Sequence, residues 1–115
     1  MTDGDAELVG LAQAGDRAAF EGLVRRTGRL VFARLYLDTG DPHRAEDLTQ
    51  DTFLLAFRSL HQLADPAGFR AWLLAVAHRA MLDAVKRDAR LKRSGPTAAG
   101  VELSLVPALE PGPEP

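Results

Sequence analysis

The chain has 115 residues, enough for one domain with a single core, and a formal net charge of −2. It has no cysteine, which excludes disulfides and thiolate zinc sites and fits a reducing cytoplasm. No apolar run approaches the roughly 20 residues that a membrane span needs, and the acidic opening MTDGDAELVG does not read as a signal peptide.

The elements are almost all helical. Asp3 or Asp5 is placed to cap a short first helix carrying Leu8, Val9, Leu11 and Ala12. Gly15 ends it and Asp16 caps the next. In that second helix Phe20, Leu23, Val24, Leu30, Val31 and Leu35 follow helical spacing. Thr27 fills the gap in this stripe, and Arg25, Arg26, Arg29 and Arg34 lie outside it. Gly40 is a stop signal. Asp41-Pro42 then sets a cap residue before a proline at the first helical position, which starts a third helix over residues 42–60. Asp65-Pro66 repeats that signal for a fourth helix ending near residue 90. Its buried stripe is Phe69, Trp72, Leu73, Val76, Ala77, Ala80 and Ala84, and core packing is the plain reading of its two aromatics. No segment has strand period. The fold expected is all-α: a compact bundle of about four helices over residues 1–93.

From Ser94 the pattern fails. Residues 94–115 hold five of the seven prolines and three of the ten glycines. They read as a disordered, proline-rich linker or tail, whose short run VELSLV is either a docking segment or a boundary remnant.

Charge is unevenly spread. Residues 1–65 carry 7 Arg against 11 Asp and Glu, a net −4; residues 66–95 carry 7 Lys and Arg against 2 Asp, a net +5; the remainder carries 3 Glu and no base. The middle block suits nucleic acid, although a cationic helix C-terminus is also favourable for its own sake.

Two helix faces follow. On the third helix Asp47, Gln50, Asp51, Leu54 and Arg58 share one side, a polar stripe with an exposed leucine. Such a surface suits a basic, partly apolar helix of a partner, and an ordinary solvated face would look the same. Leu48, Thr52, Leu55 and Ser59 share another side, and Phe53, Ala56, Phe57 and Leu60 widen the buried one. On the fourth helix Arg70, Leu74, Ala75, His78, Arg79, Leu82 and Lys86 lie largely opposite the buried stripe. Arg70, Arg79, Lys86, Arg87, Arg90, Lys92 and Arg93 are placed to neutralise phosphates, with His78 and Arg79 in reach of base edges. Leu63, Ala64, Asp65 and Pro66 form a break able to hold an unstacked base.

Catalysis finds no support. His43, Glu46 and Asp47 are close on one helix, but no matching ligands project from other helices, and His61 and His78 are isolated. There is no phosphate-cradling glycine loop and no nucleophile motif, and no cofactor is implied.

The run AEDLTQDTFLLAFRSLHQL followed by FRAWLLAVAHRAMLDAVKR resembles region 2 of the extracytoplasmic-function group of bacterial sigma factors. The resemblance covers roughly residues 5–93, and it is the pairing of a D-L-x-Q-D/E-x-F element with an F-x-x-W-L-x-x-x-A-x-x-x-x-x-D element that makes it specific. It implies a transcription initiation factor without enzymatic activity. Asp47, Gln50, Asp51, Leu54 and Arg58 would meet the clamp helices of the β′ subunit of core RNA polymerase. Leu63, Ala64, Asp65 and Pro66 would receive a flipped base of the promoter −10 non-template strand. Arg70, Ala75, His78, Arg79, Lys86 and Arg87 would follow the adjacent DNA. An anti-sigma factor is a further partner that the resemblance implies. Arg79 stands where the family often has asparagine, and Ala75 where it often has a basic residue, so base preference should differ from that of common members. These 115 residues contain no counterpart of the family's −35-reading helix-turn-helix domain. The rival reading is a sigma-like helical adaptor that binds polymerase or a regulatory protein without recognising DNA.

Overall fold

The computed structural model describes residues 2–93, so the expected tail, VELSLV included, lies outside the described residues. Four α-helices follow one another: α1 (Thr2–Gln13), α2 (Arg17–Thr39), α3 (Pro42–Ser59) and α4 (Phe69–Arg93). Two 3₁₀ turns, Leu60–Gln62 and Pro66–Gly68, link α3 to α4. The chain divides into two compact units at Met81 and Leu82. The first holds α1, α2, α3, both 3₁₀ turns and the beginning of α4. Of the second, the end of α4 is described.

The caps form where the residue types place them. Gly15 takes a φ of 108° and turns the chain out of α1. Asp16 then accepts from the N–H of Ala19 at 3.1 Å. Gly40, at φ 72°, returns its N–H to the Tyr36 carbonyl at 2.7 Å and closes α2. Asp41 accepts from the N–H groups of His43 and Arg44, with Pro42 in the first turn of α3. Asp65 caps in the same way but starts the 3₁₀ turn Pro66–Gly68, accepting from the Ala67 N–H at 3.1 Å; α4 begins only at Phe69.

The core of the first unit is built from Val9 of α1, Phe20, Leu23, Val31 and Leu35 of α2, Leu48, Phe53 and Ala56 of α3, and Phe69, Leu73, Ala77 and Ala80 of α4. Fully burying one such leucine or valine contributes about 1.5–3 kcal/mol. α2 packs on both α1 and α3. Thr27 and Thr52 are fully buried within α2 and α3. Each hydroxyl donates at 2.7 Å to the carbonyl four residues back, of Leu23 and Leu48 respectively, so neither threonine is an orphaned polar group.

Four expectations are corrected. Asp5 is no cap: it lies inside α1 and is 3% exposed. Leu11 and Leu30 are exposed rather than core, because each points off the α1–α2 and α2–α3 seams that bury Val9 and Val31. Phe57, counted on the buried side of α3, is 48% exposed at the edge of the α2–α3 seam. Trp72 and Val76 are half-buried, so the fully buried stripe of α4 is narrower than the sequence suggests.

Candidate functional site

α3 presents the expected stripe. Asp47, Gln50, Leu54 and Arg58 are exposed and Asp51 is half-buried. Leu54 is 56% exposed, an apolar residue standing among carboxylates.

Beside this stripe lies a feature that the sequence reading missed. A groove of about 540 Å³ opens between α2 and α3. Phe20, Val24 and Gly28 line it from α2, and Thr49, Gln50, Phe53, Leu54 and Phe57 from α3, with Arg17 and Glu21 at its rim. Phe57 meets Phe20 edge-to-face, with ring centroids 5.1 Å apart, and Arg17 stands 5.7 Å over the Phe57 ring. A Cβ on Gly28 would meet nothing within 4 Å, so the missing side chain helps to keep the groove open. Gly28 in mid-helix was the available sequence signal. The polar α3 stripe therefore continues into an apolar slot that takes side chains from two helices.

The second surface is the break between α3 and α4. Leu63 is half-buried with extended backbone, Ala64 and Asp65 are exposed, and Pro66 is half-buried. The break is held from outside. Gln13, the last residue of α1, donates from Nε2 to the carbonyls of both Leu60 and Leu63, each at 2.9 Å. The Leu63 N–H also returns to the Leu60 carbonyl at 3.1 Å. α1 lies against both 3₁₀ turns.

On the far side of the break the buried Asp5 carboxylate takes two arginines. Arg26 Nε donates to Oδ1 at 2.7 Å, and Arg70 Nε donates to Oδ2 at 2.5 Å. Burial by itself pushes the Asp5 carboxyl up, but the hydrogen bonds from Arg70 and Arg26 outweigh it and leave the group below its ordinary value. Arg70 is held above its ordinary value, chiefly by its hydrogen bond to Asp5. Expected as a phosphate contact, Arg70 is thus first a tie between α4 and α1. Its side chain stays 41% exposed, which leaves an edge of the guanidinium in water.

The third surface is the outer side of α4. Ala75, His78 and Arg79 are exposed in the first unit, and Lys86 and Arg87 are exposed in the second. Among the described residues no group of three His, Asp or Glu side chains comes together as a metal site. No described helix is long and apolar enough to cross a membrane.

Residues 23–91 match the family described as Sigma-70 region 2. Among curated proteins, the chain is 38% identical to the ECF RNA polymerase sigma factor SigE of Mycolicibacterium smegmatis over 87% of this chain and 38% of the relative. It is 37% identical to the ECF RNA polymerase sigma factor BldN of Streptomyces coelicolor over 70% of this chain and 31% of that protein. With the ECF RNA polymerase sigma factor SigM of Mycobacterium tuberculosis it shares 35% identity over 72% of this chain and 42% of the relative. The chain thus spans less than half the length of these three relatives. No solved structure matches it.

Proposed function

The chain belongs to the Sigma-70 region 2 family, and on that premise we propose that it binds core RNA polymerase and recognises and melts the promoter −10 element. The outer face of α3, with Asp47, Gln50, Asp51, Leu54 and Arg58, meets the β′ clamp helices. Its carboxylates steer a basic helix, and the slot beside Leu54 receives an apolar side chain. Leu63, Ala64, Asp65 and Pro66 take up one unpaired base of the non-template strand. Ala75, His78 and Arg79 follow the neighbouring bases, with Lys86, Arg87 and the free edge of Arg70 on phosphates. Melting needs no chemical step, because capture of an unstacked base offsets an unstacking cost of a few kcal/mol. The role is non-catalytic and belongs to the cell interior. An anti-sigma factor would compete for the acidic α3 face.

The observation that carries this reading is one of position. The family match over residues 23–91 contains every residue named for the three surfaces, and all of them are exposed or half-buried. The test is co-purification with core RNA polymerase, followed by binding of the complex to single-stranded −10 libraries. Salt-sensitive, weak DNA binding by the chain alone and sequence-selective binding with core are expected. Core binding without any DNA selectivity would favour a protein-only adaptor. Asp47→Ala combined with Asp51→Ala should abolish co-purification while helical content is kept, and unchanged recovery would sink the α3 assignment.

A further inference from the structure

Gln13 makes a contact that core packing does not explain. It is an exposed residue at the end of α1, yet its amide nitrogen bridges two carbonyls 47 and 50 residues away. Those carbonyls belong to Leu60 and Leu63, on the N-terminal side of the break. One amide nitrogen carries two hydrogens, so a glutamine can satisfy both carbonyls at once. On the C-terminal side, Arg70 is held by Asp5, which lies two turns earlier on the same α1. Both flanks of residues 63–66 are thus pinned to one helix, while Ala64 and Asp65 between them stay exposed.

We infer that α1 sets the shape of the base-receiving loop, with Gln13 and Asp5 as positioning residues that determine selectivity without touching DNA. This rests on the reading of residues 63–66 as the base pocket. Gln13 fixes where the Leu63 carbonyl points and so fixes the edge of the pocket. Asp5 fixes the first turn of α4 and the exposed edge of Arg70. A loop tied at both ends loses little freedom when it captures a base, which favours one base geometry over the alternatives.

The test uses the chain bound to core RNA polymerase and a single-stranded library randomised over the −10 element. The unstacked position is located by 2-aminopurine fluorescence. Gln13→Leu, which removes both hydrogens, should flatten base preference at that position by about tenfold while the other positions and core affinity stay unchanged. Gln13→Lys, which restores donor hydrogens, should recover most of the preference. A uniform loss at every position would overturn the inference and make Gln13 a stability contact. Unchanged preference in Gln13→Leu, alongside a selective wild type, would overturn it and leave the base-pocket reading standing. A wild type with no preference at any unstacked position would remove the pocket reading, and this inference with it.

Discussion

The outer face of α3 and the loop that follows it adjoin in sequence, but they are built in opposite ways. The α3 surface is local. Asp41 and Pro42 start the helix, and steps of three and four residues then put Asp47, Gln50, Asp51, Leu54 and Arg58 on one side. The loop is set from a distance: Gln13 holds Leu60 and Leu63, and Asp5 holds Arg70 across 65 residues. A helical surface can therefore be changed residue by residue without moving its backbone. A loop surface changes when a residue on another helix does.

The largest effect should come from the remote side. Arg26→Ala with Arg70→Ala leaves the Asp5 carboxylate buried and unpaired, which should cost about 3 kcal/mol. The shift of the urea midpoint measures it. A loss close to that of a surface alanine substitution would mean that Asp5 can swing into water, and that the loop is less firmly tied than its contacts indicate.

Removing the carboxylate instead should cost less, about 1–2 kcal/mol, because the side chains of both arginines are already near 40% exposed to water. Asp5→Asn adds a pH signature. The folded carboxyl lies below its unfolded value, so its stabilisation is fully present above about pH 4 and is lost as pH falls through the folded value. The stability gap between wild type and Asp5→Asn should accordingly narrow below about pH 4 in acid unfolding curves. A gap that widens with acid would show that the two hydrogen bonds do not outweigh burial.

The smallest effect belongs to the local side. Gly28→Ala meets open space and a better helix propensity, so it should raise stability by up to about 1 kcal/mol. It should also narrow the groove beside Leu54 and weaken core polymerase binding, which a thermal melt and a pull-down would read together. A gain in stability with full polymerase binding would place the partner on the polar stripe alone.

Much of this arrangement was legible in the residues. Helix number, the caps at Asp16 and Asp41 and the glycine stops follow from short-range hydrogen bonding, which a sequence states directly. The exposure of Asp47, Gln50, Leu54 and Arg58 follows from helical spacing. Asp5 was misread as a cap for a definite reason: an aspartate near a helix start looks alike whether it bonds its own backbone or an arginine elsewhere. Phe57 was misread because spacing places a side chain on a side of its helix but does not say where the neighbouring helix ends. The groove escaped for the same reason, since it needs Phe20 and Phe57 from different helices.

By itself the sequence determined the four helices, the caps at Asp16 and Asp41, the glycine stops and the α3 stripe, all of which depend on residues within about four positions of each other. Only the tertiary structure decided that Gln13 and Asp5 of α1 hold the loop and that α2 completes the groove. Those contacts join residues far apart in the chain, and no local spacing rule reaches that far.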